Sequence, residues 1–186
     1  MDLAYFLSEI NQLEKVPRTG WLHMGIDDPP SVAEHSYQVA VLAYLIAKME
    51  GEDPQKAASI ALFHDLGEAR IFDMHWIAQK YFDTDEAEEE AFRDIAERAE
   101  PIEEDINDYF DEYEERDSEI AKIVKDADHL TYAMTSKEYI SQGYEKLEVY
   151  FDRSMELLKT DSAKKLGEQL RDMEPREPYR DVETKD

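Results

Sequence analysis

The sequence predicts an all-α fold in which one bundle of helices surrounds a single core. Apolar residues recur three and four positions apart through most of the 186 residues, as they do on the buried face of a helix. Helix-start signals precede several of these runs, and no segment shows the strict apolar–polar alternation of a strand. Glycine and proline are few, and the chain is rich in glutamate, alanine and leucine, which are strong helix formers. A chain of this length forms one domain.

The first predicted helix covers 2–15, where one stripe contains Leu3, Phe6, Leu7, Ile10 and Leu13. A loop over 16–30 follows, because three prolines and two glycines fall inside it. Ser31 and Glu34 have the spacing of a capping box, so we expect a long helix from there to about Glu50.

Asp53 followed by Pro54 has the pattern of an N-cap with proline at the first helical position. This predicts the start of a helix that carries the segment HDLGE (64–68). The next run, DMHWIAQKYF (73–82), is expected to form a loop and a short helix.

The second half of the chain begins with a strongly acidic stretch over 84–115, which a proline at 101 divides. Asp117 or Ser118 caps the next long helix, and Gly143 is a plausible end for it. Two further helices are predicted, over about 144–159 and about 162–172. Residues 173–186 are expected to form a flexible tail, so the predicted domain covers residues 1–172.

The charge and the missing cysteines narrow the functional classes. Lys and Arg total 21 against 46 Asp and Glu, a net charge of −25, which disfavours nucleic-acid binding. Without cysteine, any metal must be held by histidines and carboxylates. The N-terminus lacks the pattern of a signal peptide, and no apolar run approaches the ~20 residues that span a bilayer. We therefore expect a soluble, cytoplasmic protein that does not act at a membrane.

Four ionisable residues interrupt the apolar stripes of three predicted helices: His35, His64, Asp65 and Asp128. Any one of them alone is better explained as a buried residue with an ordinary partner. If all four residues converge, a shared cation becomes the better explanation, because buried carboxylates repel each other unless a cation or proton neutralises them. Two imidazoles and two carboxylates suit one divalent cation. Six-coordination would leave two open positions and favours Mn, Co, Fe or Ni, although Zn is possible.

These residues and the motifs around them resemble the HD-domain metal-dependent phosphohydrolases. The spacing of His35, the His64-Asp65 pair and Asp128 is similar to the H…HD…D pattern of that family. The segments VPRTGW (16–21), SVAEHS (31–36) and HDLGE, with Asp73 after them, resemble its 5′-deoxynucleotidase branch, which includes bacterial YfbR and the eukaryotic HD-domain-containing protein 2. The similarity covers roughly residues 3–140.

The resemblance implies an all-α, usually homodimeric enzyme that hydrolyses deoxynucleoside 5′-monophosphates to deoxynucleoside and phosphate. It implies that the four residues above bind the metal and that Glu68 is the catalytic carboxylate. Glu68 also lies four residues after His64, on the ligand face of the expected helix, where it could transfer a proton. The resemblance further implies that Arg18 orients the phosphate and that Asp73 contacts the substrate. Trp21 would lie at the pocket edge or against the base, with a core anchor as the equal alternative.

The chain departs from the family around the base and sugar. Phe72 stands where the family has glycine, and MHWIAQKYF (74–82) replaces a proline-containing loop. The resemblance therefore implies hydrolysis more directly than it implies a particular nucleotide. Two alternatives stay open: another HD-type nucleotide phosphohydrolase or phosphodiesterase, and a non-catalytic metal- or nucleotide-binding regulatory protein. Glu68 and Arg18 favour turnover, since binding alone requires no proton-transfer group.

Overall fold

The computed structural model describes residues 3–179 and confirms the all-α prediction. Within that range there is no strand, and the only β-type pairing is an isolated bridge between Pro17 and Ser31. Two 3₁₀ helices cover Glu145–Leu147 and Glu177–Tyr179. The α-helices of the described range are α1 (Leu3–Leu13), α2 (Thr19–His23), α3 (Val32–Glu50), α4 (Pro54–Phe63), α5 (Glu68–Ile71), α6 (Trp76–Gln79), α7 (Asp85–Ala96), α8 (Glu103–Glu115), α9 (Glu119–Ser141), α10 (Glu148–Leu157) and α11 (Asp161–Asp172).

The two helix starts that matter most for the site follow the sequence signals. The Ser31 side chain accepts a hydrogen bond from the Glu34 backbone, and the Glu34 carboxylate accepts one from the Ser31 backbone at 2.7 Å. This is the expected capping box, and it fixes the first turn of α3. At the start of α4, Asp53 accepts hydrogen bonds from the backbone N–H groups of Gln55 and Lys56. Both starts are as predicted.

The core has a main cluster between α3, α4 and α9, and a second one where α1, α7 and α8 meet. Fully buried residues of the main cluster include Val39, Ile46, Ile60, Val124 and Leu130. The second cluster is built around Phe6, Phe92, Ile95, Ile106 and Phe110. The polar site lies at the end of the main cluster, where side chains from α3 and α9 meet the turn that follows α4.

The structure differs from the predicted elements in the first half of the chain. A five-residue helix, α2, lies inside the loop expected over 16–30. The helix expected to carry HDLGE ends at Phe63, and α5 begins only at Glu68. In the second half, Gly143 takes a positive φ of 105° just after α9 ends, as a helix-stop glycine does.

The described chain ends in a short 3₁₀ helix. The expected tail over 173–186 extends beyond the described residues, since 180–186 lie outside them. Residues 173–179 form a turn that leads into the last 3₁₀ helix. None of the helices within 3–179 has the length and apolar character needed to cross a membrane.

Candidate active site

The motif HDLGE lies in a tight turn and not on one continuous helix. Backbone hydrogen bonds of the i to i+3 type run from Leu66 to Phe63 and from Glu68 to Asp65, at 3.0 and 3.1 Å. A Cβ added to Gly67 would lie 2.8 Å from the backbone oxygen of Glu88. Only glycine therefore lets this turn approach α7 so closely. The prediction of a single helix through residues 64–68 was wrong, although the turn still brings its polar side chains to one place.

His64 presents the lone pair of Nε2 to the centre of the site. Its Nδ1 lies 2.7 Å from the backbone oxygen of Ala61, which can only accept a hydrogen bond. Nδ1 therefore carries the proton, and in the neutral ring Nε2 is left without one. The ring is 2% exposed, and its Nε2 has no hydrogen-bond partner within the described range. This is the orientation of a metal-binding histidine.

His35, on α3, is oriented in the same way through Thr131 of α9. The Thr131 hydroxyl donates its proton to the backbone oxygen of Asp128 at 2.7 Å. It lies 3.1 Å from Nδ1 of His35, so it must accept a hydrogen bond from that nitrogen. Nε2 of His35 is then unprotonated, buried and without a partner in the part of the chain described here. Burial and the charge of Arg18 lower the pKa of His35, which favours the neutral ring.

The two carboxylates predicted as ligands face these two nitrogens. Nε2 of His35 lies 3.2 Å from Oδ1 of Asp128 and 3.6 Å from Oδ2 of Asp65. Nε2 of His64 lies 3.2 Å from the same Asp65 oxygen. Burial opposes ionisation of both acids, yet the charge of Lys125 holds the pKa of Asp128 well below its usual range. The charge of Arg18 lowers the pKa of Asp65 in the same way.

A divalent cation fits this arrangement. Unprotonated imidazole nitrogens and carboxylate oxygens lie within 4 Å of each other, and both orienting contacts place the imidazole protons on the opposite nitrogens. Donor atoms of His35, His64 and Asp65 all lie within 4.8 Å of one another. Lone pairs that face each other in a buried site repel unless a cation or a proton lies between them. The structure thus brings three of the four predicted ligands within mutual reach, and the fourth, Asp128, contacts this group through His35 at 3.2 Å.

Arg18 is buried beside this group and is not a surface arginine. Arg18 is 6% exposed, and its Nη1 lies 2.7 Å from Asp65 Oδ2. Nη2 donates to the hydroxyl of Tyr132 at 2.5 Å. Backbone hydrogen bonds to Pro30 at 3.0 Å and from Val32 to Val16 hold the loop of Arg18 against the start of α3. The guanidinium is therefore fixed at the edge of the proposed metal position.

Glu68 begins α5 and points into the same space. The residue is 8% exposed, and its Oε2 has no hydrogen-bond partner in the described chain. It lies 3.8 Å from Arg18 Nη1. Burial and the Asp65 carboxylate raise the pKa of Glu68 well above its ordinary range. Carboxylate oxygens of Asp65, Glu68 and Glu88 approach within 4.8 Å of one another, and burial raises the pKa of Glu88 to about 8.

The remaining two predicted substrate residues occupy different surroundings. Asp73 accepts hydrogen bonds from the backbone and hydroxyl of Thr19, at 2.5 and 2.9 Å, and its other oxygen lies 3.6 Å from Arg18. Trp21 is 5% exposed and packs against Tyr132 and Tyr139, with ring centroids 5.7 and 5.4 Å away. Asp73 lines the large cleft described below, whereas Trp21 does not. The position of Trp21 is that of a core anchor.

A cleft of about 1220 Å³ opens onto the site. Arg18, Asp65, Glu68, Asp73 and Asp128 all line it. Its volume exceeds what a phosphate group needs and is ample for a nucleotide. Along its wall acidic side chains far outnumber basic ones. The chemistry that this arrangement supports is capture of one small anion next to a metal.

Several residues that shape the site were not predicted from the sequence. Lys125 lies 3.4 Å from Asp128 Oδ2 and donates to the hydroxyl of Tyr113 at 2.7 Å. Lys125, Thr131 and Tyr132 occur three before, three after and four after Asp128, so helical spacing alone places them on its face. Glu88 lies in an acidic run on another helix, and no local signal distinguishes it from its neighbours.

Comparison with known proteins adds an independent line of evidence. A family model described as HD domain matches residues 10–170. The protein called 5′-deoxynucleotidase HDDC2 from Bos taurus is 31% identical over 140 residues, which cover 74% of this chain and 68% of that protein.

Solved structures agree on the fold. A conserved hypothetical protein from Pyrococcus furiosus superimposes with a TM-score of 0.78 at 32% identity, over 91% of this chain and 99% of that one. A predicted metal-dependent phosphohydrolase from Magnetospirillum magnetotacticum MS-1 gives a TM-score of 0.73 over 96% and 93% of the two chains. At 20% identity, this second likeness shows the fold alone.

Proposed function

The chain belongs to the HD-domain family of metal-dependent phosphohydrolases, in its 5′-deoxynucleotidase branch, and we propose that it releases phosphate from deoxynucleoside 5′-monophosphates. One observation carries the proposal. Two unprotonated imidazole nitrogens and two ionised carboxylates converge next to a buried arginine and a carboxyl group without a partner. A metal, an anion-binding group and a proton-transfer group are the three parts that phosphomonoester hydrolysis needs.

His35, His64, Asp65 and Asp128 are the proposed ligands of one divalent cation. When bound, the cation activates a water and offsets charge on the phosphate. The donor set of two nitrogens and two oxygens favours Mn, Co, Fe or Ni, because Zn is saturated by four ligands, although Zn remains compatible with the same residues. Thr131 and the Ala61 carbonyl hold the two rings in the tautomer that binding requires.

Arg18 is the proposed phosphate-binding group. Its planar fork can donate two hydrogen bonds to phosphate oxygens, and Tyr132 fixes its direction from α9. Burial removes competing water, which strengthens the interaction with a charged substrate. Asp73 holds the loop of Arg18 through Thr19 and is a proposed substrate contact.

Glu68 is the proposed proton-transfer group. Its free Oε2 points to the space beside Arg18 and Asp65, where a water attacking phosphorus would lie. A cation held beside Asp65 would offset the negative charge that helps to raise the pKa of Glu68, so the ionised carboxylate could take the proton from that water and pass it to the departing deoxynucleoside oxygen. The P–O bond to the sugar breaks as the new P–O bond forms, which yields deoxynucleoside and inorganic phosphate.

The excess of acidic side chains along the cleft favours a monophosphate over longer polyphosphates, whose additional charges would meet repulsion. The net charge of −25 likewise disfavours a nucleic-acid substrate. We also propose a cytoplasmic enzyme, since nucleoside monophosphates are intracellular metabolites, and a homodimer. Exposed apolar residues on one side of α3, namely Tyr37, Val41, Tyr44 and Leu45, support a protein contact there.

A hydrolysis screen that measures the nucleoside, nucleotide, phosphate and triphosphate products tests the function. Ribo- and deoxynucleoside 5′-monophosphates, a deoxynucleoside triphosphate and a cyclic nucleotide are compared with Mn, Co, Mg and Zn. We expect turnover of deoxynucleoside monophosphates above all. Preference for the triphosphate or the cyclic nucleotide would assign a different HD chemistry, and metal or nucleotide binding without turnover would assign a regulatory role.

A further inference from the structure

The wall of the cleft next to Arg18 contains a cluster of aromatic rings that the proposed chemistry does not use. Trp76, at the start of α6, is 39% exposed and lines the cleft, as do His75, Phe82 and Tyr150. Phe82 is 62% exposed. Large apolar rings that stay open to a cleft beside a polar site are typical of ligand-binding surfaces. We call these four residues the aromatic wall.

The aromatic wall is supported from behind, so Trp76 has a defined position. Its ring centroid lies 5.5 Å from that of Tyr150, which packs against the core cluster around Trp21 and Leu147. His75 lies 5.9 Å from the indole, centroid to centroid. The indole is therefore held by its neighbours while part of its surface remains free.

The position of the indole relative to Arg18 is also fixed. A Cβ on Gly20 would lie 3.2 Å from Cζ3 of Trp76, so the ring rests against the backbone two residues after Arg18. Asp73, three residues before Trp76, is hydrogen-bonded to Thr19, the residue directly after Arg18. Two contacts thus join the α6 segment to the phosphate-binding loop. A nucleoside monophosphate carries its base one sugar away from its phosphate, and Arg18 and the aromatic wall line the same cleft.

We propose that Trp76 is the stacking surface for the nucleobase of the substrate, with Phe82 beside it, which rests on the proposed function of the same site. Stacking on an indole is favourable for every base and greatest for the larger purines. His75 lines the same cleft, and its ring stacks on that of His23 with the centroids 5.1 Å apart. The tryptophan expected against the base is then Trp76, and Trp21 belongs to the core.

The segment that supplies the wall is the one in which this chain departs from its resemblance to the family, MHWIAQKYF (74–82). Base recognition in this protein therefore depends on residues of its own, while the metal and phosphate groups follow the shared motifs. Removal of the indole should therefore weaken the binding of substrates that carry a base and leave the binding of substrates without a base unchanged.

Kinetics on two substrates test this inference. Deoxyadenosine 5′-monophosphate is compared with 2-deoxyribose 5-phosphate, which has the same phosphate and sugar but no base. Trp76→Ala should raise KM for the nucleotide about tenfold or more, from the usual contribution of one stacked base. It should leave kcat/KM for the sugar phosphate unchanged, and Trp76→Phe should retain most of the nucleotide affinity. Tyr81→Ala is the matched control, because Tyr81 is 74% exposed in the same segment but does not line the cleft.

Fluorescence provides a readout without turnover, because the chain has only two tryptophans. Deoxyadenosine should quench the emission of the wild-type protein and leave Trp76→Phe, which retains only the buried Trp21, unaffected. Equal losses on both substrates would mean that Trp76 acts through the Arg18 loop, and the inference would fail while the function stands. Unchanged kinetics in Trp76→Ala would also overturn it. If the wild type hydrolyses neither substrate, the proposed function fails, and quenching alone then decides whether a base binds at Trp76.

Discussion

Arg18 and Asp65 form a buried ion pair with Nη1 and Oδ2 2.7 Å apart. The residue proposed to bind phosphate is thus held by a residue proposed to bind metal. A cation bound at Asp65 would weaken this pair and free the guanidinium for an anion, so metal and phosphate binding should be coupled. Because Arg18 is the ion-pair partner of a buried carboxylate, its removal should also lower the stability of the folded protein. The position of Arg18 in a predicted loop does not indicate this role.

Replacement of Arg18 should therefore affect both catalysis and stability. Arg18→Ala should cost ~2–4 kcal/mol of transition-state stabilisation, seen in kcat/KM, because the phosphate loses a two-pronged donor. Arg18→Lys should recover only part of it, since an ammonium group cannot provide the fork. In metal-free protein the melting temperature of Arg18→Ala should also fall, because Asp65 is left buried without its partner. Unchanged kinetics would remove the phosphate-binding role.

Glu68→Gln separates proton transfer from metal binding. The amide keeps the size of the side chain but cannot accept the proton, so kcat should fall by ~10²-fold or more. Metal content, measured by elemental analysis, should stay at the wild-type level, because Glu68 is not one of the proposed ligands. Near-normal turnover of metal-loaded Glu68→Gln would leave Glu68 without a catalytic role.

Glu88 should make the stability of the metal-free protein depend on pH. Burial and Asp65 raise its pKa from an ordinary 4.5 to about 8, so the folded state holds the proton more tightly than the unfolded state. Ionisation then costs stability progressively as pH rises from about 4.5 to about 8. Glu88→Gln removes this cost, and its melting temperature should exceed that of the wild type by ~2 °C or more at pH 9, a difference worth ~1 kcal/mol. A difference of the same size at pH 5 would show that the gain has another origin.

Phe72 adopts a backbone conformation that glycine prefers, with φ 64° and ψ 161°. The side chain is 56% exposed, so its packing contributes little. Phe72→Gly should raise the melting temperature by ~2–4 °C, because the relief of strain exceeds the added chain entropy of glycine. Phe72→Ala is the matched control and should bring no such gain, since alanine keeps the Cβ. A decrease in Phe72→Gly would mean that the ring contributes more than its exposure indicates.

The sequence predicts best what depends on local spacing. The capping box at Ser31 and the convergence of His35 with the HD pair both follow from helical periodicity and matched motifs. The turn after Phe63 could not be predicted in this way, because the packing of Gly67 against α7 ends the helix, and that contact joins distant parts of the chain.

The two tryptophans show the same limit. Each tryptophan is close in sequence to a residue of the site. The spacing of apolar residues does not show which of the two is buried in the core and which lines the cleft. Trp21 is buried because Tyr132 and Tyr139 arrive from α9. Trp76 contacts Gly20, Tyr150, His75 and His23, and it still keeps 39% of its surface exposed. Such outcomes depend on which helices meet, and local patterns do not contain that information.

The most direct test of the account is a metal titration of phosphate release. Metal-stripped protein receives increasing Mn with deoxyadenosine 5′-monophosphate as substrate, and bound metal per chain is measured in parallel. We expect no turnover without metal and a rise that saturates with about one bound equivalent, whereas His64→Ala should bind little metal and stay inactive. His23→Ala, an exposed histidine outside the proposed ligand set, should retain the wild-type metal content. Turnover in the stripped protein, or wild-type metal content in His64→Ala, would contradict the assignment of a four-residue metal centre.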